Sequence, residues 1–305
     1  MTDPHVDFFL VGHPRSGSGR VDGFLAQHPK IFMAEKELHY YGSDLDYNLP
    51  ARTAENYAAK FRTAAPGLLR GEASTWYLFS QRGAKEIAAA HPEAKIVALL
   101  REPVSWLASL HSHFVFTGDE PCDDFVRAFG EADRLSTARI RFSTQPRGAL
   151  CYPQLVQYHD QIQRYFDAFG RERVRVVLTS DLRDDTRATL LSVLDFLGVP
   201  QDYPGLEVAL AGNRRSTNAN RAVYSRRVTR FVRSPMNLAV LRGLRPGLVP
   251  GHQLLLRALR RVNMHAATRR PVPANIRAEL QRRFRPELER TAALIEQDLS
   301  PWCRA

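Results

Sequence analysis

Val6-Asp7-Phe8-Phe9-Leu10-Val11-Gly12-His13-Pro14-Arg15-Ser16-Gly17-Ser18-Gly19-Arg20-Val21-Asp22-Gly23-Phe24-Leu25 decides the fold. An apolar run, Val6 to Gly12, leads directly into a turn rich in glycine and serine. An apolar-periodic segment, Val21 to Leu25, follows. This reads as buried strand, tight turn and helix. Such a turn aims several backbone N–H groups and a helix N-terminus at one point, which suits an anion.

The same alternation continues downstream. Ala51 to Arg62 reads as a short helix, Leu68 to Ser74 as a strand, and Gln81 to Ala90 as an alanine-rich helix. Lys95 to Arg101 is a continuous apolar run, as expected of a strand buried on both faces. Pro103 suits the first turn of a helix running to about Phe114, and Thr117 to Pro121 breaks it. Tyr152 to Phe169 reads as one helix ended by Gly170, and Val174 to Thr179 as another buried strand. Asp181 or Asp184 is expected to cap the helix that ends near Gly198. Strands separated by helices predict a P-loop-like three-layer α/β domain: a central parallel sheet, helices on both faces, and ligands at the C-terminal strand ends. From Ala211 onward the chain reads as mostly helical, interrupted by Pro235, Pro246, Pro250, Pro271 and Pro273. Gly243 to Gly251 is the expected loop or lid.

Composition narrows the class. The chain has 305 residues, 44% of them hydrophobic, enough for a sizeable core. No run of about 18 uninterrupted apolar residues predicts a membrane span, and Met1 to Val6 is too short and polar for a secretory signal. Cys122, Cys151 and Cys303 are odd in number and lack metal-ligand spacing. They read as reduced thiols of a cytoplasmic protein that needs no metal. The net charge of +11 is unevenly spread: Ala211 to Arg290 holds 19 Arg, no Lys and three acids. That field favours an anionic ligand or surface, such as cofactor phosphates, an anionic acceptor or acidic lipid, although solvated arginine-rich helix faces are common.

The nucleotide P-loop, G-x-x-x-x-G-K-[ST], is the nearest template for the first turn. Gly12 and Gly17 have its spacing, but Ser18 stands where its lysine belongs and the basic residue sits earlier, at Arg15. Pro14-Arg15-Ser16-Gly17-Ser18 instead resembles the P-K-S-G-T loop of sulfotransferases that use 3′-phosphoadenosine 5′-phosphosulfate (PAPS). Gln27 to Met33 and Lys36-Glu37-Leu38-His39-Tyr40-Tyr41 are similar to the "QHP.IFM…KE.H.F" segment of the bacterial and heparan-sulfate-type branch. Gly71 to Leu78 resembles that branch's next strand and loop. Lys95 to Ser109 resembles its R-x-P-x-x-R-x-x-S element, and Phe196 to Val199 and Asp298 to Trp302 its later markers. The resemblance covers nearly the whole chain. It implies a single sulfotransferase domain over 1–305, with a nucleotide-binding α/β core (1–210) and an arginine-rich, mostly helical part (211–305).

The resemblance also implies roles. The loop Pro14, Arg15, Ser16, Gly17, Ser18, Gly19 and Arg20 would hold the 5′-phosphate through its N–H groups and the two serine hydroxyls. Arg15, in the usual lysine position, would reach the leaving oxygen; it keeps the charge but cannot release a proton. Arg101 and Ser109 would bind the 3′-phosphate, with Trp106 where the motif has a second arginine. Glu37 would be the base and His39 its assistant. A spacing of two puts them on one face if the segment is extended. Glu72 is a runner-up carboxylate. Tyr152 would approach the nucleotide, and Arg214 and Arg215 would form a late basic loop over the 3′-phosphate. The acceptor would be a small molecule, sugar or glycolipid, taking the sulfuryl group on a hydroxyl or amine. Two alternatives are a P-loop-like phosphotransferase, which Ser18 and the lack of a metal aspartate disfavour, and an arginine-rich nucleic-acid-binding protein. No nucleic acid is expected, because aromatic residues are sparse among the arginines.

Overall fold

Five parallel strands form the central sheet of the computed structural model, which describes residues 4–47, 53–131, 145–146, 148–212, 221–232, 234–241, 251–266 and 271–304. They are β1 (Phe8–Gly12), β2 (Ile31–Met33), β3 (Leu69–Ala73), β4 (Lys95–Leu100) and β5 (Val174–Leu178), in the order β2-β3-β1-β4-β5. β1 is central because every side chain in it is apolar or absent and every position is buried. Alternation then divides the core. Phe9 and Val11 enter one apolar cluster with Ile96, Ala98 and Leu100; Phe8 and Leu10 enter the other with Val97 and Leu99. At Gly71, on β3, a Cβ would lie 2.2 Å from the Phe8 ring, so only glycine admits that ring between the strands.

The helices that cover and extend the sheet are α1 (Ser18–Leu25), α2 (Ala54–Ala59), α3 (Gly83–Ala90), α4 (Pro103–Thr117), α5 (Phe125–Gly130), α6 (Tyr152–Leu155) and α7 (Tyr158–Phe169). They continue with α8 (Thr179–Asp184), α9 (Thr186–Leu197), α10 (Leu206–Gly212), α11 (Arg226–Val232), α12 (Pro235–Leu241), α13 (His252–Val262) and α14 (Ala274–Ile295). β1 pairs with β3 on one side and β4 on the other, so the loops after β1 and β4 leave from a topological switch point. Among the described residues no helix is long and apolar enough to cross a membrane.

Three elements differ from the sequence reading. The expected helix over Tyr152 to Phe169 is broken after Leu155. In one continuous helix Tyr158 would sit about 120° round from Tyr152, whereas Tyr152, Leu155, Val156 and Tyr158 are all buried. The cap of α9 is neither Asp181 nor Asp184. Both fall inside the short helix α8, and the side chain of Asp185, the first residue after it, accepts from the Ala188 N–H. The late segment holds an antiparallel pair, β6 (Arg221–Val223) with β7 (Met264–Ala266), beside its helices. Its small core of Val232, Val240 and Leu256 is separate from the main clusters. Leu280, Phe284 and Leu288 of α14 return to the main core. The expected lid, Gly243 to Gly251, lies outside the described residues except for Gly251.

At the end of β3, the fully buried Glu72 carboxylate accepts from Tyr57 Oη (2.7 Å), Tyr77 Oη (2.8 Å) and Ser74 Oγ (2.6 Å). Two of those oxygens accept in turn from the backbone: Ser74 Oγ from the His39 N–H (3.0 Å), and Tyr77 Oη from those of Tyr40 (2.8 Å) and Tyr41 (3.2 Å). Glu72 therefore orients hydroxyls that hold three consecutive residues of the 36–41 segment in place. Burial pushes its carboxyl up to about 7, against the lowering effect of the three hydroxyl donors. A raised carboxyl pKa favours folding below the unfolded carboxylate range, and that contribution is lost as pH rises to about 7. Glu72→Gln removes the titration. Urea unfolding should show the stability of the parent, relative to Glu72→Gln, falling by at most about 3 kcal/mol between about pH 5 and about pH 8. A constant difference would show that Glu72 stays ionised throughout.

Candidate active site

Three consecutive carbonyls of the loop between β1 and α1 are tied to the protein by three different elements. Trp106 Nε1 of α4 donates to Pro14 O (2.9 Å), the Arg101 guanidinium at the end of β4 to Arg15 O (2.8 Å), and Thr179 Oγ1 after β5 to Ser16 O (2.8 Å). In a planar trans peptide the N–H points opposite its C=O. The N–H groups of Arg15 and Gly17 are thereby turned away from the anchors. Two left-handed residues make the turn, Gly17 (φ 96°) and Arg15 (φ 73°). The second is a strained conformation for a side chain with a Cβ, costing about 1–2 kcal/mol. The Ser16 hydroxyl closes the loop internally, donating to His13 O at 2.6 Å. Both serines expected to face a ligand through their hydroxyls are buried, Ser16 in the turn and Ser18 at the start of α1. His13 packs against Trp106 (ring centroids 4.5 Å apart) and Tyr158, and burial holds its pKa down to about 3, so it stays neutral.

On the α4 side, Arg15 Nε donates to Ser109 Oγ at 3.4 Å. Arg101 is held from behind by the Tyr158 hydroxyl, which donates to its carbonyl (2.9 Å). The structure thus gathers Arg15, Arg101 and Ser109, two guanidiniums and a hydroxyl, beside the loop. Trp106 does not supply the motif's second positive charge. Its indole N–H instead serves as a loop anchor.

On the opposite side, Lys36 Nζ donates to Ser18 Oγ (3.0 Å) and to Glu37 Oε1 (2.7 Å). Glu37 Oε2 accepts from the Thr75 N–H (3.0 Å) and Thr75 Oγ1 (2.7 Å), with His39 Nε2 at 3.3 Å. Glu37 and His39 meet, but not through strand alternation. Both are left-handed (φ 66° and 51°), and the turn they form is tied to the Glu72 hydroxyls. Burial works to raise the Glu37 pKa. The Lys36 and His39 charges and the Lys36 and Thr75 hydrogen bonds outweigh it, so the carboxylate is held below its ordinary range.

Lys36, Thr75 and Thr179 join the site without having been singled out by sequence reasoning. Lys36 adjoins Glu37, but its bond to Ser18 on α1 joins residues 18 apart that no sequence spacing connects. Two expected ligands are engaged elsewhere. The Arg20 guanidinium ties α1 to the end of α8, donating to Leu182 O (2.7 Å) and Thr186 Oγ1 (2.6 Å). Tyr152 is a core residue, with its hydroxyl donated to Glu120 at 2.7 Å. Pro14, Gly17, Ser18 and Gly19 lie in the loop and the first turn of α1, while Arg214 and Arg215 lie outside the described residues.

Residues 7–203 match the sulfotransferase family. A sulfotransferase from Alicyclobacillus acidocaldarius superposes with a TM-score of 0.70 at 24% identity, over 99% of this chain and all of that one, and shows the fold to be shared. A mouse sulfotransferase complexed with PAP aligns less well, with a TM-score of 0.46 at 14% identity over 70% of this chain and 66% of that chain. No curated protein matches the chain. The matched span takes in all five strands of the central sheet, the loop between β1 and α1 and both flanking clusters; the chain belongs to the sulfotransferase family.

Proposed function

We propose that the protein moves a sulfuryl group from PAPS to a hydroxyl, or amine, of a carbohydrate, glycolipid or small-molecule acceptor, as a cytoplasmic enzyme of one sulfotransferase domain. One observation carries this reading. Ser18 of the anion-binding helix start, the Lys36 ammonium and the Glu37 carboxylate form a single hydrogen-bonded chain. A cation that meets the donor and a base that meets the acceptor are thus already adjacent.

The residues present fit a nucleotide with two phosphate-bearing ends. Loop N–H groups, Ser18 and Lys36 suit the 5′ end. Arg101, Arg15 and Ser109 suit a 3′-phosphate, for which guanidinium forks are well shaped. PAPS, when bound, supplies the sulfuryl group. Lys36 would stand beside the leaving oxygen in place of Arg15, whose Nε donates to Ser109 Oγ. Glu37 removes the proton from the acceptor hydroxyl. Its lowered pKa keeps it ionised but makes it a weak base at rest. An anionic oxygen beside Lys36 competes with Glu37 for the ammonium, which raises the basicity of Glu37 when donor is present. Thr75 and His39 hold the carboxylate in place. The phosphotransferase alternative loses its basis with the family membership.

Calorimetry should find adenosine 3′,5′-bisphosphate bound at least about 10-fold more tightly than adenosine 5′-monophosphate, since each charge-assisted hydrogen bond contributes about 1.5–3 kcal/mol. Equal affinities would remove Arg101 and Ser109 from this role. Glu37→Gln should leave bisphosphate affinity nearly unchanged and lower turnover by about 10²-fold or more. Turnover near the parent's would move the base to another group. Lys36→Met should lose about 10²–10³-fold in turnover, the size of one lost oxyanion-type donor, while Arg15→Lys keeps substantial activity. The reverse ranking in steady-state assays would return the leaving-oxygen role to Arg15.

A further inference from the structure

Helix α13 carries two apolar faces. Leu256 is fully buried, and with Leu259 it packs in the small late core beside Val232 and Val240. At 100° per residue, Leu254, Ala258 and Val262 fall in one line on another face, with Leu255 beside them. Leu254 is 68% exposed, Leu255 55% and Val262 72%. One flank of this stripe is lined by the exposed Arg257 and Arg261. A helix that only covered a core would be polar on that side. The same part of the chain also exposes Phe231 and Met236.

The charge pattern says what such a face meets. Between Glu207 and Glu279 the chain contains no acidic residue and fifteen arginines. A protein partner could match an apolar stripe with apolar side chains, but an arginine rim on a segment that itself carries no carboxylate calls for dense negative charge next to hydrocarbon. Both are found at the headgroup–acyl boundary of an anionic bilayer, where amphipathic helices lie in the plane with their apolar side inward. The eleven residues of α13 are too few to span a bilayer, so the contact is peripheral. We propose that the outward face of α13 docks on membranes rich in anionic phospholipid, with Leu254, Leu255 and Val262 entering the interface and Arg257 and Arg261 pairing with lipid phosphates.

Sedimentation of the full chain with vesicles tests this. The protein is expected to pellet with mixed phosphatidylglycerol–phosphatidylcholine vesicles, less so as salt rises, and not with phosphatidylcholine alone. The triple variant Leu254→Ser, Leu255→Ser, Val262→Ser should partition about 10-fold or more less while binding adenosine 3′,5′-bisphosphate as the parent does. Should that variant not fold by circular dichroism, Leu255→Trp serves instead. Its emission should shift to the blue on anionic vesicles, and an unshifted emission overturns the proposal. Three other results also overturn it: no pelleting with anionic vesicles, equal pelleting of parent and triple variant, or dimerisation of the parent in ultracentrifugation that the triple variant abolishes. DNA that binds the parent and prevents pelleting, with the triple variant binding it equally, would assign the arginines to nucleic acid instead.

Discussion

The anchoring of three successive loop carbonyls is the constraint on which the site depends. Pro14, Arg15 and Ser16 each give their oxygen to a donor from a different element: α4, the end of β4, and the residue after β5. Those elements are brought to one edge by the parallel register of the sheet, itself set by the buried apolar runs of β1, β4 and β5. With the carbonyls fixed, the left-handed Arg15 is held despite its strain, and the peptide N–H groups are set before any ligand arrives. Such preorganisation is what makes backbone donors effective toward an anion. Thr179 adds stiffness, since its hydroxyl lies within hydrogen-bonding distance of both Ser16 O and Leu100 O.

Around this loop the charges are divided. Guanidiniums gather on the α4 side, where Ser109 meets Arg15. A single ammonium sits on the other, shared between Ser18 and Glu37. Burial alone would raise the Glu37 pKa. The nearby charges and hydrogen bonds keep it ionised, while Glu72, with hydroxyl donors and no cation bonded to it, is pushed up instead. Two carboxylates, one partly exposed and one fully buried, thus have opposite electrostatics. Glu37 joins Lys36 beside the start of α1, and Glu72 works through hydroxyls that hold the turn of Glu37.

The middle of the sheet was legible because β1 and β4 are continuous apolar runs next to turn signals, and both are found almost to the residue, whereas β3 carries Arg70 and Glu72 and is no such run. β2 is three residues long and at the sheet edge, so periodicity could not identify it. Arg15, Arg101, Ser109, Glu37 and His39 were legible as members of motif-like blocks, and the structure brings them to the loop. Their pairings were not. Lys36 bonds Ser18 across 18 residues, and no spacing rule foretells that bond or a positive φ at Glu37. Arg20 looked like a ligand from its place in the loop, but its guanidinium finds acceptors in α8 and α9, more than 160 residues away. Tyr152, expected near the nucleotide, is fully buried and donates its hydroxyl to Glu120. The β6–β7 pair was hidden by a helical composition that tertiary packing overrode.

The segment from Lys36 to Tyr41 has no helix or strand of its own, yet side chains from beneath hold it at three backbone N–H groups. Its backbone from His39 to Tyr41 is therefore placed by side chains beneath it rather than by a neighbouring strand, while Lys36, Glu37 and Tyr41 engage their own side chains in further bonds. For protein engineering this makes Tyr57, Ser74 and Tyr77 the scaffold to keep whenever the segment above them is varied, because a change there would shift a backbone that has no strand partner at those three residues to hold it.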